Sequence, residues 1–363
     1  MSGIVSRKKD NDSNDVYELL PGLPQKKGTL LVSLSSEHLV EKLSEYLNLK
    51  NIKFEIFEQN IQFQTELLEH FVLDLIDKNN VLNEMEMDAV NLLFLEQHEK
   101  LDLSTFGKTQ SLLKTYRLVK GKDLIYILNN KTLKTYFQPI VDVRNNEIFA
   151  YECLSRGIRK DGTLMGSSLI FKTATKNDLL YYLDREARET AIVSAVANNI
   201  TKKIFINFVP SAIYNPDTSL KDTMEWVEKY NLNPENIIFE VIETESIVDT
   251  KYLKRFLEPY RKQGFKIALD DIGSGYSSLT LLAELKPDFI KVDMEIIRDI
   301  YRKPYKQSVF KALSYICKEN KIKLLAEGVE TIEELEFCVS NGADFAQGFY
   351  FSKPTLIPVE KIK

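Results

Sequence analysis

The sequence predicts an α/β protein: a TIM-like (β/α)8 barrel with an irregular antiparallel first strand, preceded by a small N-terminal α/β or helical domain. Three observations carry this. From about residue 118, short apolar runs alternate with helical stretches as far as the C-terminus, the texture of a sheet wound with helices. Six acidic residues each close such a run: Glu152 in FAYE, Glu240 in IIFEV, Asp270 and Asp271 in KIALDD, Asp293 in FIKVD and Glu327 in KLLAE, while Asn207 closes IFIN in the same way. A parallel barrel delivers the last residue of every strand to one rim, where catalytic groups collect. Finally, the first two strands are joined only by the turn at Arg144-Asn145-Asn146, which suits an antiparallel hairpin.

In chain order, residues 1–27 are charged, rich in Asn and Asp, and end in LPGLPQKK, the composition of a mobile tail. Residues 28–117 form the small domain. TLLVSL reads as a strand, SEHLVEKLSEYLNL as an amphipathic helix and IKFEIF as a second strand. Leu, Phe and Val spacing predicts helices over 61–78 and 82–98, broken at Asn79-Asn80. The third segment, 118–363, is the barrel. Its strands are expected at 135–142, 147–152, 204–208, 237–241, 266–270, 288–292, 322–326 and 344–347. Helices are expected at 178–198, 217–230, 250–263, 277–285, 304–319 and 331–340.

Bulk composition narrows the function. With 363 residues, 44% of them hydrophobic, the chain can bury a large core and one further small domain. A net charge of −5 argues against a polymeric nucleic-acid partner. No apolar run approaches the roughly 20 residues that span a bilayer, and the polar start MSGIVSRKKD has no signal-peptide segment. Three cysteines without CxxC spacing (Cys153, Cys317 and Cys338) suit a reducing compartment. A cytoplasmic protein without membrane insertion is expected.

The acids point to metal chemistry. Six carboxylates on one rim repel each other unless cations sit between them. All three histidines (His38, His70 and His98) precede the barrel. An all-oxygen site therefore suits two hard divalent cations, Mg²⁺ or Mn²⁺, and the neighbours Asp270 and Asp271 are suited to bridge them. Two such cations together with Lys291 and Arg156 balance six carboxylates. Each acid taken alone is better explained as a helix cap; the set on successive strands carries the reading. Lys291 precedes Asp293 by two residues and shares its face. Such a lysine holds a water or a phosphate oxygen, or pairs with an acid for structure. Arg156, four residues beyond Glu152 and just past the expected strand end, is equally a phosphate clamp or a surface ion pair. The loop after Asp271, GSGYSS, is a turn with backbone N–H groups suited to phosphate. Asp184 and Arg185 lie mid-helix and read as structural. Cys153 reads as a buried small residue, because no histidine is near to activate it.

From about Leu118 to Lys363 the chain resembles the EAL domain family of bacterial cyclic di-GMP phosphodiesterases. YFQPIVD resembles the family's opening strand, and Glu152-Cys153-Leu154 stands at the signature E-A-L with Arg156 after it. FINFVPSAI, FEVIETES, LDDIGSGYSSL, FIKVD, LLAEGVET and AQGFYFSKP follow in the family's order. The resemblance implies an irregular TIM barrel holding two Mg²⁺ or Mn²⁺ ions on Glu152, Asn207, Glu240, Asp270, Asp271, Asp293 and Glu327. It implies catalytic roles for Lys291, Glu327 and Glu243, the last anchoring the GSGYSSL loop. Gln138, Arg156, Asp293 and Gln347 would contact the substrate. Cyclic di-GMP would be opened to linear pGpG by in-line attack of water. A homodimer is implied. Residues 28–117 carry no recognisable family signature and are expected to be a regulatory, sensory or dimerising module open to a protein partner. Cys153, Ile242 and Ile272 replace the family's alanine, threonine and phenylalanine. The alternative is a non-catalytic cyclic di-GMP receptor that signals through the N-terminal module.

Overall fold

A computed structural model describes residues 27–97, 99–210, 213, 216–241, 250–273 and 279–362. Residues 1–26 of the expected tail, Ile242, Glu243 and residues 274–278 of the glycine loop lie outside the described residues. The chain divides into two compact units, Met1–Ile125 and Tyr126–Lys363.

The first unit is built on strands β1 (Gly28–Leu34), β2 (Phe54–Phe57), β3 (Asn60–Thr65), β4 (Val90–Glu96) and β5 (Gln110–Ser111). They form one antiparallel sheet in the order β2-β3-β1-β4-β5. Ser36 caps the helix Glu37–Leu49 by accepting from Leu39 N. That helix packs Leu39, Leu43 and Leu47 against Leu30, Val32 and Phe63 of the sheet. Two expectations are corrected here. Residues 60–65 and 90–96 are strands, not parts of helices. In NIQFQT the alternation of Ile61 and Phe63 has period two, and the run VNLLFLE is too uniformly apolar for spacing to separate strand from helix.

The second unit closes as a barrel. Its strands are β6 (Leu133–Asp142), β7 (Glu147–Ile158), β8 (Leu164–Met165), β9 (Lys203–Phe208), β10 (Ile237–Val241), β11 (Lys266–Ile272), β12 (Phe289–Val292), β13 (Lys323–Ala326) and β14 (Phe345–Ala346). Pairing runs β6-β14-β13-β12-β11-β10-β9-β7 and returns to β6; β8 only extends the β7 edge. Strand β6 is antiparallel to both its neighbours, and the other barrel pairs are parallel. The expected irregular first strand is thus present. Helices Leu180–Ala197, Pro216–Lys229, Thr250–Lys262, Leu279–Leu285, Pro304–Asn320 and Ile332–Ser340 fall where expected, and Ser167–Lys176 is an additional one.

Helices and sheet meet through aromatic packing. Phe208, Phe239, Phe256, Tyr260 and Phe265 stand with neighbouring ring centroids 4.9 to 6.0 Å apart. Truncating one such buried ring to alanine costs about 3–5 kcal/mol. Inside the barrel is a separate apolar layer of one side chain per strand: Ile140, Ala150, Phe205, Ile238, Ala268, Phe289, Leu325 and Phe345. This plug is the floor on which the polar site stands.

Candidate active site

Side chains return to the same face of a strand every second residue. Two residues beyond each plug side chain, toward the open rim, the barrel carries Glu152, Asn207, Glu240, Asp270, Lys291, Glu327 and Gln347. On β6, which runs the other way, the equivalent residue lies two before Ile140 and is Gln138. Every strand therefore exchanges an apolar residue for a polar one at the same height. Glu327 and Gln347 continue the ladder just past their strands, through Glu327 N to Val292 O (3.1 Å) and Gln347 N to Ala326 O (2.9 Å).

Lys291 is the hub of this ring. It is 1% exposed, and its Nζ lies 2.6 Å from Glu240, 2.8 Å from Glu327, 3.0 Å from Asp270 and 3.5 Å from Glu152. Burial alone would pull the ammonium pKa down, but the surrounding carboxylates together drive it well above the usual lysine value. Burial pushes the carboxyls of Glu240 and Glu327 well up, and Lys291 offsets this only in part. Neither oxygen of the fully buried Glu240 accepts a well-angled hydrogen bond.

Asp271 joins the ring through a backbone irregularity. Adjacent strand residues point to opposite faces, yet Asp270, Asp271 and Glu327 each offer an oxygen within 4.8 Å of the others. The β11–β12 register shifts between Leu269 and Ile272, and Asp271 has φ of 53°, so a bulge in the left-handed region turns its carboxylate to the inner face. Strand β11 consequently runs on to Ile272 rather than ending at Asp270. Burial first, and then the charge of Asp270, raise the Asp271 carboxyl to about 7. Asp293 stands beside Asp271 and adds to that rise. It also caps the helix Met294–Ile297, accepting from Glu295 N at 2.7 Å, so it fulfils the capping alternative as well.

Gln138 and Gln347 are buried beside Glu152. Gln347 Nε2 donates to Glu152 Oε2 and to Gln138 Oε1 (3.0 Å), and Gln138 Nε2 donates to Ser352 O (3.1 Å). Gly348 makes this possible, since a Cβ there would meet Val329 O at 2.0 Å. Two strand-end expectations are corrected: Glu152 sits mid-strand in β7, and Arg156 is still within that strand. β7 runs on because it keeps its antiparallel pairing with β6 as far as Leu133↔Gly157 and gains β8. The Arg156 guanidinium lies 5.7 Å from the Tyr136 ring centre, and burial lowers its pKa. Cys153 is buried, and burial raises its thiol well above the usual value.

The residues fit divalent cations. A buried carboxylate that accepts no well-angled hydrogen bond, raised carboxyl pKa values and a three-carboxylate oxygen cluster are what an all-oxygen site for a hard cation requires. Sequence reasoning left Arg188 unremarked; it is buried and paired with Asp184, and the only signal for it was the i,i+4 spacing inside an apolar helix face.

Residues 122–354 match the EAL domain family. The chain belongs to that family. Among relatives, it is 30% identical over 240 residues to "Probable cyclic di-GMP phosphodiesterase PdeG" of Escherichia coli K12, covering 65% of this chain and 47% of that protein. The chain spans about half the length of the curated relatives it matches. A standalone EAL protein of Vibrio cholerae O395, solved with cyclic di-GMP bound, is 36% identical with a TM-score of 0.58, over 64% of this chain and 95% of that one. Klebsiella pneumoniae BlrP1, solved with calcium and cyclic di-GMP, shares the fold over 93% of this chain and 98% of its own, with a TM-score of 0.58 at 23% identity.

Proposed function

We propose that this chain hydrolyses cyclic di-GMP to linear pGpG with two divalent cations, Mg²⁺ or Mn²⁺, under control of the N-terminal unit. The observation that carries the reading is the polar ring: eight strands, each with a polar residue at one height, around a buried lysine. Glu152, Asn207, Glu240, Asp270, Asp271, Asp293 and Glu327 would hold the ions. The ions supply Lewis-acid activation of water and of the phosphodiester.

The chain's own groups account for the rest. Lys291, kept protonated by its carboxylates, orients the attacking water and stabilises charge on the phosphoryl oxygens. Glu327, whose carboxylate lies 2.8 Å from Lys291 Nζ, would accept the water proton. Attack on phosphorus breaks one P–O bond, and the leaving ribose oxygen takes up a proton. Arg156 clamps a non-bridging phosphate oxygen at the mouth. Gln347, fastened to Glu152, and Gln138, held by Gln347, present one side of the site to the substrate. A catalytic role for Glu243 rests on the family resemblance alone. A cytoplasmic homodimer, with residues 28–117 as the regulatory or sensory module, completes the reading.

Purified protein incubated with cyclic di-GMP and Mn²⁺, with products resolved by chromatography, tests it. Appearance of pGpG, lost in Glu152→Ala, is expected. Tight nucleotide binding without product would replace the hydrolase with a receptor. Absence of both binding and product would remove the nucleotide altogether.

A further inference from the structure

The barrel unit buries one ion pair that the proposed chemistry does not use. Asp184 is 1% and Arg188 2% exposed, both on the helix Leu180–Ala197. Arg188 Nε donates to Asp184 Oδ2 at 2.9 Å, while its other nitrogens donate to Thr223 Oγ1 (2.6 Å) and Ser219 Oγ (3.0 Å) on the helix Pro216–Lys229. The guanidinium lies 5.5 Å from the Phe208 ring centre and 5.7 Å from that of Trp226. The remaining oxygen, Asp184 Oδ1, accepts from Val209 N at 3.0 Å.

That last bond falls at a particular place. Pairing of β9 with β7 runs to Cys153↔Ile206, and with β10 to Val241↔Phe208. Val209 is the first residue beyond the ladder and is 2% exposed. A buried N–H left without an acceptor costs about 1–3 kcal/mol, and Asp184 supplies the acceptor. Stability alone does not demand an ion pair for this, because well-packed apolar replacements of buried pairs are often neutral or stabilising. Asn207 lies two residues before Val209 and in register with Glu240. Its backbone is therefore held laterally by β10 and, just past the strand end, by Asp184. Phe208, the residue between, is gripped under the Arg188 guanidinium.

We propose that Asp184 and Arg188 are positioning residues for Asn207. The carboxylate fixes the end of β9, the guanidinium fixes the carboxylate and the Phe208 ring, and the Asn207 carboxamide is thereby held at its height in the polar ring. This rests on the reading of Asn207 as a cation ligand.

The test is calorimetric titration of metal-free, full-length protein with Mn²⁺ alone, beside thermal unfolding. D184L/R188M removes both charges and the acceptor. D184N/R188M removes the charges and keeps an acceptor for Val209 N–H. The first should unfold a few degrees below wild type, as an unpaired buried N–H requires, and bind Mn²⁺ about 10-fold more weakly or worse, as loss of supporting groups around metal ligands does. The second should recover only the part of that loss carried by the Val209 bond, because the Arg188 contact to Phe208 is still missing. N207A should lose a similar amount, and N207A added to D184L/R188M should lose little more, the non-additivity expected when two changes act through one group. Wild-type affinity in D184L/R188M, with N207A weakened, overturns the positioning role alone. Fully additive losses overturn it too. Wild-type affinity in N207A removes Asn207 from the ligand shell and the positioning role with it. Should D184L/R188M not fold, hydrogen exchange of the wild-type protein decides: the Val209 amide is expected to exchange only through global opening, and rapid exchange from the native state overturns the proposal.

Discussion

The two rims of the barrel treat acidic side chains in opposite ways. At the N-terminal rim three carboxylates are matched locally. Asp344 meets Lys323 Nζ at 2.7 Å and Leu324 N at 3.0 Å, Asp288 accepts from Ile267 N at 2.9 Å beside Lys266, and Asp142 is gripped by Arg144. The cations of these pairs are 38–64% exposed. At the C-terminal rim, four carboxylates converge on one lysine that is 1% exposed. One end of the barrel is neutralised pair by pair; the other holds an excess of negative charge away from water. Such an excess is costly in a finished structure and useful only where cations enter. The lower rim serves stability, and the upper rim is left in the imbalance that entering cations would relieve.

The sharpest way to break this comparison is to remove a lysine from each rim. Lys291→Ala should lower turnover by about 10³-fold, within the range of lost proton-transfer and charge-stabilising groups, with nucleotide binding largely retained. In the metal-free protein it should also cost about 3–5 kcal/mol by uncompensating a buried cluster. Lys323→Ala should cost no more than about 1 kcal/mol, as exposed pairs do, and leave turnover unchanged. Denaturant unfolding and product chromatography on both variants check this. A Lys291→Ala enzyme of near-normal rate would remove Lys291 from the mechanism.

A second contrast lies in pH. The Asp271 carboxyl is raised to about 7, above its unfolded value. Its contribution to stability is therefore present below the ordinary carboxylate range and is lost as pH rises through 7. Metal-free protein should lose melting temperature between about pH 4 and 7 and level off above that. Mn²⁺ should restore it, increasingly so at the higher pH, since the cation competes with the proton. A melting temperature that is flat with pH and indifferent to Mn²⁺ would contradict the unbalanced upper rim.

The lower rim should behave in the reverse sense, and more weakly. Arg144 holds the Asp142 carboxyl below the usual range, so its contribution is present above that range and lost as pH falls through the depressed value. Asp142→Asn should remove a small part of the acid-unfolding limb and leave turnover untouched. Acid titrations of the two proteins that coincide would deny Asp142 that role. Smallest of all, Asp344→Asn should shift stability by about 1 kcal/mol, read from the denaturation midpoint.

Much of the site was legible in the linear pattern. FAYE, IFIN, IIFEV, FIKV and LLAE each place a polar residue two positions after an apolar one that plugs the barrel, and alternation along a strand is local enough to be read from order alone. Other features resisted reading. Residues 60–65 and 90–96 are strands because β1 pairs with both, and partners tens of residues away leave no mark on local spacing. Asp184 read only as a structural mid-helix residue, and its bond to Val209 N depends on a strand end 25 residues away.

The sequence by itself determined the barrel, its irregular start, and the polar residue that each strand brings to the rim, because these follow from periodicities of two and of 3.6. Tertiary structure alone decided that Lys291 is shared among four carboxylates, that a bulge turns Asp271 inward beside Asp270, and that a buried ion pair closes the end of β9. The physical reason is closure. Distances across a ring of eight strands depend on register and stagger between segments far apart in the chain, and no local pattern encodes them.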